Sequence, residues 1–137
     1  MFEPLEGGCL CGAVRYRVTA PPISSGYCHC RMCQRSSGGP VQASAEIPVD
    51  GFRLVKGRLK AYRSSERAVR HFCARCGSQL TFRPALDPTY ISINTPTLDR
   101  PEALAPVMHI WRDHRIPWFE IADDLPRHAT DGPPVGS

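Results

Sequence analysis

A chain of 137 residues has the length of one domain. Its formal charge of +4 counts seven cysteines as neutral thiols. If all seven are thiolates on two zinc ions, three units come off and +1 remains, which argues against a nucleic-acid partner despite a sequence pI of 8.8. No apolar run is long enough to cross a bilayer, and the first residues carry no basic segment or apolar stretch of a secretory leader. The expectation is a cytoplasmic protein with no membrane partner, whose clustered thiols stay reduced and serve as metal ligands rather than disulfides.

Apolar residues make up 42% of the chain, and there are 14 prolines. Proline breaks helices and confines strands, so short strands joined by many turns are expected. Taken in order, Gly7-Gly8-Cys9-Leu10-Cys11-Gly12 reads as a tight glycine turn carrying two thiols. Residues 13–19 alternate apolar and polar as a half-buried strand does, and Pro21-Pro22 stops them. A short strand over 23–27 leads into Cys28-His29-Cys30-Arg31-Met32-Cys33. One or two helical turns over 31–37 end at Gly38-Gly39-Pro40.

Strands follow at 41–47, 52–55, 59–63 and 68–73. The sequence Cys73-Ala74-Arg75-Cys76-Gly77 has the form of a zinc knuckle. Strands at 78–82 and 90–94, a short helical turn within 99–105, and last strands at 107–111 and 118–121 complete the pattern. Residues 1–126 therefore read as one β-rich domain, and the polar, proline-rich stretch 127–137 as a disordered tail. Roughly ten short strands with little helix indicate a mainly β sandwich.

Seven cysteines divide as four plus three. The outer pairs Cys9/Cys11 and Cys73/Cys76 suit a closed structural zinc site, while Cys28, Cys30 and Cys33 suit an open catalytic one. A thiol entering the open position would be held as a thiolate for attack on an electrophile. His29, between two ligands, is expected to turn its ring away. Among His71, His109, His114 and His128, any could approach the trio in space. Arg31 and Arg35 could offset thiolate charge or receive a substrate carboxylate, although a solvated helix face would look the same. Trp111, Trp118 and Phe119 could line a cleft or simply fill the core.

The stretches from Gly8 to Tyr16, from Cys28 to Cys33 and from Phe72 to Gly77 resemble the glutathione-dependent formaldehyde-activating enzyme family, also called centromere-protein-V-like. So do His109-Ile110-Trp111, Trp118-Phe119-Glu120-Ile121 and Asp124-Leu125-Pro126. The resemblance implies an Mss4-like zinc-containing β-sandwich with a structural zinc on Cys9, Cys11, Cys73 and Cys76 and a catalytic zinc on Cys28, Cys30 and Cys33. It also implies carbon–sulfur lyase chemistry that joins formaldehyde to glutathione as S-hydroxymethylglutathione. Two other expectations stand beside it. One is a non-enzymatic zinc module for a protein partner. The other is a thiol-based sulfoxide reductase, disfavoured because no cysteine follows Cys76.

Overall fold

The computed structural model describes residues 2–132 and contains two sheets with one short helix. The small sheet has the order β1-β2-β5, from Leu5–Gly8, Arg15–Val18 and Phe52–Lys56. The large sheet has the order β10-β3-β4-β9-β8-β7-β6. Its strands are β3 (Ser24–Cys28), β4 (Gln42–Pro48), β6 (Leu59–Ser65), β7 (Ala68–Cys73), β8 (Gln79–Pro84), β9 (Tyr90–Asn94) and β10 (His109–Ile110). All pairings are antiparallel except that of β10 with β3. The mainly β expectation holds. Among the described residues, no helix is long and apolar enough to cross a membrane.

The alternation read in the sequence sorts side chains between two faces. Tyr16 and Val18 of the small sheet and Ala45, Ile47, Ile91 and Ile93 of the large one are buried in a common core with Leu5, Leu80, Leu98 and Leu104. Each fully buried aliphatic there contributes about 1.5–3 kcal/mol of transfer free energy. The intervening residues of β4 and β9, namely Gln42, Ser44, Glu46, Tyr90, Ser92 and Asn94, line a cleft.

Three expectations change. The glycine turn begins later than expected, because Leu5–Gly8 is a strand paired with β2. Gly7 is needed for close approach: a Cβ there would lie 2.6 Å from both Thr97 O and Tyr16 Oη. The expected strand over 118–121 is a turn, in which Phe119 N–H donates to Ile116 O at 3.1 Å. Pro117 precedes it, and Glu120 is held by Arg112 at 2.6 Å instead of by a strand neighbour. The expected tail is in part a strap. His128 N–H donates to His109 O, Trp111 N–H to Thr130 O and Arg112 N–H to His128 O, at 2.9, 3.0 and 3.0 Å. Residues 133–137 lie outside the described residues.

Candidate functional site

Cys9 and Cys11 sit in the loop after β1, Cys73 ends β7, and Cys76 lies in the turn before β8. Their four sulfurs lie within 4.8 Å of one another. The Cys9–Cys11 and Cys11–Cys73 Sγ distances are 3.6 and 3.8 Å. A tetrahedral ion with zinc–sulfur bonds near 2.3 Å needs sulfurs about 3.8 Å apart, whereas a disulfide needs about 2.05 Å. The donor set therefore fits a metal ion, and all seven cysteines are free thiols.

Local backbone serves the sulfurs. Val14 N–H points at Cys9 Sγ at 3.2 Å, and the N–H groups of Arg75 and Cys76 point at Cys73 Sγ at 3.4 and 3.5 Å. Gly12 and Gly77, both at φ 79°, make the reversals that bring these donors round. The Ser78 hydroxyl, 3.2 Å from Cys76 Sγ, leads the effects that lower the Cys76 thiol to about 5. That favours the thiolate a metal requires.

The inner trio is built within one stretch. Cys28 ends β3, Cys30 caps the helix α1 (Arg31–Ser37), and Cys33 lies in its first turn. Cys33 N–H donates to Cys30 Sγ at 3.2 Å, and Cys33 Sγ lies 3.3 Å from Cys28 Sγ. Contacts with Cys28 and then Cys33 hold the Cys30 thiol well below its ordinary range. Contacts with Cys30 and Cys33, together with burial, push Cys28 up. Three sulfurs this close repel one another once ionised. A cation at the trio would remove that conflict, so this donor set fits a metal as well. Among the described residues, no fourth Cys, His, Asp or Glu joins the three sulfurs.

His29 turns away from the sulfurs, as expected. Its Nε2 lies 2.9 Å from His109 Nδ1, and His109 Nε2 lies 3.0 Å from Asp123 Oδ2. A carboxylate accepts, so His109 donates from Nε2 and accepts at Nδ1, and His29 donates from Nε2. Burial, then the neighbouring His109, hold His29 down to about 4 and keep it neutral. This row of three side chains ties the loop between Cys28 and Cys30 to β10 and to the segment that leads into the strap.

The trio opens on a cleft of about 540 Å³. The floor comes from the large sheet, and Met32, Ile110 and Trp111 provide apolar wall. Arg31 lines the cleft and donates to Gln34 Oε1, whereas Arg35 is exposed and outside the lining. Of the aromatic candidates, Trp111 lines the cleft, Trp118 is 77% exposed and Phe119 is not in the lining. Trp111 adopts φ 54°, unusual for so bulky a side chain, and its indole N–H donates to Asp131 at 2.9 Å. His114 reaches the cleft, while His71 and His128 do not line it.

Sequence reading missed Arg70, Glu46 and Asp131. Arg70 is only 8% exposed, lies with its guanidinium carbon 5.2 Å from the Phe82 ring centroid, and brings Nη2 to 3.9 Å from Cys33 Sγ. Period-2 alternation places Arg70 and Glu46 on strands but does not say which strands lie side by side.

Comparisons with known proteins identify relatives of this chain. The family model described as glutathione-dependent formaldehyde-activating enzyme matches residues 4–114. A Halomonas elongata protein named "Putative glutathione-dependent formaldehyde-activating enzyme" is 32% identical over 130 residues, spanning 85% of this chain and 80% of that protein. A crystal structure of a Rhodobacter sphaeroides protein aligns with a TM-score of 0.61 over 90% of this chain and 99% of that one. At 22% identity it speaks to the fold alone.

Proposed function

Because the chain belongs to the glutathione-dependent formaldehyde-activating enzyme family, we propose that it makes and breaks the carbon–sulfur bond of a small thiol–aldehyde adduct of the S-hydroxymethylglutathione type. It would then act as a carbon–sulfur lyase. The observation that carries this reading is three free thiols converging at a cleft of about 540 Å³, with no fourth protein donor among the described residues. Cys28, Cys30 and Cys33 would hold a zinc ion there, and Cys9, Cys11, Cys73 and Cys76 a second, structural one. Bound at the trio, zinc would supply a Lewis acid and lower the pKa of an incoming thiol.

In the synthetic direction, the thiol sulfur bonds to the aldehyde carbon and the carbonyl π pair moves to oxygen. The proton lost by the thiol ends on that oxygen, and cleavage is the reverse. The chain's own residues favour the anionic sulfur this requires. The Arg70 guanidinium sets a fixed positive charge beside Cys33. Met32, Phe82, Ile110 and Trp111 exclude part of the water from the cleft and strengthen that charge. The His29–His109–Asp123 chain keeps the loop between the ligands in one geometry. A site closed by a fourth protein ligand would suit a partner-binding module, so the open cleft favours the enzyme over that alternative.

The test is incubation of the zinc-loaded protein with glutathione and ¹³C-formaldehyde, followed by NMR exchange between free aldehyde and adduct. Exchange faster than the uncatalysed reaction, and lost in Cys30→Ser, supports the reading. Exchange equal to buffer alone contradicts it.

A further inference from the structure

Two of the three charged residues missed by sequence reading, Glu46 and Arg70, stand in one row across the large sheet. The strand registers align Ser24 with Glu46, Glu46 with Ser92, Ser92 with Phe82, and Phe82 with Arg70. Three strand spacings separate the Glu46 and Arg70 backbones, about 14 Å, so the two charges cannot pair. Ser92 and Phe82 form the floor between them, and the whole stretch from Glu46 to Arg70 lines the cleft.

Neither Glu46 nor Arg70 has an ion-pair partner among the described residues. Arg70 is more than nine-tenths buried, and its Nε has no hydrogen-bond partner. No carboxylate lies within ion-pair distance of Arg70 among the described residues. A buried cation with free donors is costly unless an anion completes it. The Cys33 sulfur lies beside it but accepts only from Nη2. At the other end Glu46 is half-buried and also lacks an ion-pair partner among the described residues. Burial, then the charges of Asp131 and Asp87, make ionised Glu46 less favourable. A bound cation would relieve that. The cleft is thus positive beside the trio and negative at its far end.

Resting on the thiol-binding reading above, we propose that the cleft sorts thiols by where they carry charge: Arg70 receives a carboxylate close to the sulfur, and Glu46 receives an ammonium farther out. The two residues are thereby assigned as specificity-determining positions for the charges of the thiol proposed above. Arg70 meets the carboxylate through charge-assisted hydrogen bonds, and its planar fork suits that group better than lysine would. Asp131, already tied to Trp111, adds negative potential at the Glu46 end and favours the ammonium there.

The test is binding, measured by calorimetry on the zinc-loaded protein, with four probes. These are 2-mercaptoethanol (neutral), 3-mercaptopropionate (carboxylate only), cysteamine (ammonium only) and glutathione. In the unaltered protein, 3-mercaptopropionate should bind about tenfold tighter than 2-mercaptoethanol. Cysteamine should bind no better than the neutral thiol. Arg70→Gln should abolish the carboxylate preference and Arg70→Lys should keep part of it, with zinc counts confirming that both variants retain their ions. Glu46→Gln should weaken glutathione about threefold to tenfold and leave 3-mercaptopropionate unchanged. Equal binding of all four probes, or a carboxylate preference that survives in Arg70→Gln, overturns this inference and leaves the lyase reading standing. If no thiol binds the two-zinc protein, both fail. Because the probe ranking in the unaltered protein is itself a test, a variant that does not fold still leaves the inference open to refutation.

Discussion

The two cysteine groups differ in what they join. The outer four come from segments set far apart, Cys11 and Cys73 being 62 positions from each other, and they fasten the loop of the small sheet to a turn of the large one. The inner three come from a single six-residue stretch from Cys28 to Cys33, where β3 ends and α1 begins. Similar sulfur chemistry therefore has unequal consequences. A metal at the first group constrains a long loop and couples two sheets. At the second it closes a loop so short that the unfolded chain loses little freedom. Of the two groups, only the trio opens on the cleft.

The largest expected effect is on the outer group. Cys76→Ser should lower the melting temperature by about 10 °C or more and reduce soluble yield, because the site's binding energy is folding energy. Thermal melts with zinc counting check this. A melt within two or three degrees of the unaltered protein would erase the contrast between the groups. Cys30→Ser is the matched variant. It should stay folded, keep one zinc, melt within about 5 °C of the unaltered protein and lose thiol binding. If it unfolds as badly as Cys76→Ser, both sites are structural.

Next in size is the histidine chain. His109→Phe removes the acceptor of His29 and the donor to Asp123, leaving a buried polar group unpaired at a cost of about 1–3 kcal/mol. Denaturant melts should show that loss. Chelator release should show a faster-leaving ion at the trio only, with the outer ion unchanged. Equal acceleration at both sites would mean that the chain supports the whole fold rather than the trio.

The smallest effect concerns Glu46. Its folded pKa is raised, chiefly by burial, so the folded state holds its proton more tightly than the unfolded one. Stability then falls as pH rises from the unfolded pKa through the folded one. Glu46→Gln should remove this fall, giving a small gain at pH 7 relative to the unaltered protein and none at pH 3. Melts at the two pH values check the sign, and a larger gain at pH 3 would contradict it.

Much of this contrast was legible in the cysteine spacing. Pairs two and three residues apart beside glycine declare ligand turns, and Gly38, here at φ 76°, marks the end of the helix. Other features depend on distant partners. Gly7-Gly8 reads as a turn because glycine usually marks one, yet Gly7 serves to let the Tyr16 ring and Thr97 come close. Residues 127–132 read as a tail because their polarity is local, while their order comes from backbone bonds to 109–112. The row joining Glu46 to Arg70 exists only once four strands are in register, and the alternation of any single strand does not specify that register.

The central claim is that one ion is exchangeable toward thiols and the other is not. The direct measurement is calorimetric titration of glutathione into the two-zinc protein, into the one-zinc protein left after brief chelation, and into that protein after zinc is restored. The expected result is one thiol per chain in the first, none in the second and one again in the third. Binding that persists when the labile ion is gone, or that never appears with both ions present, would contradict it.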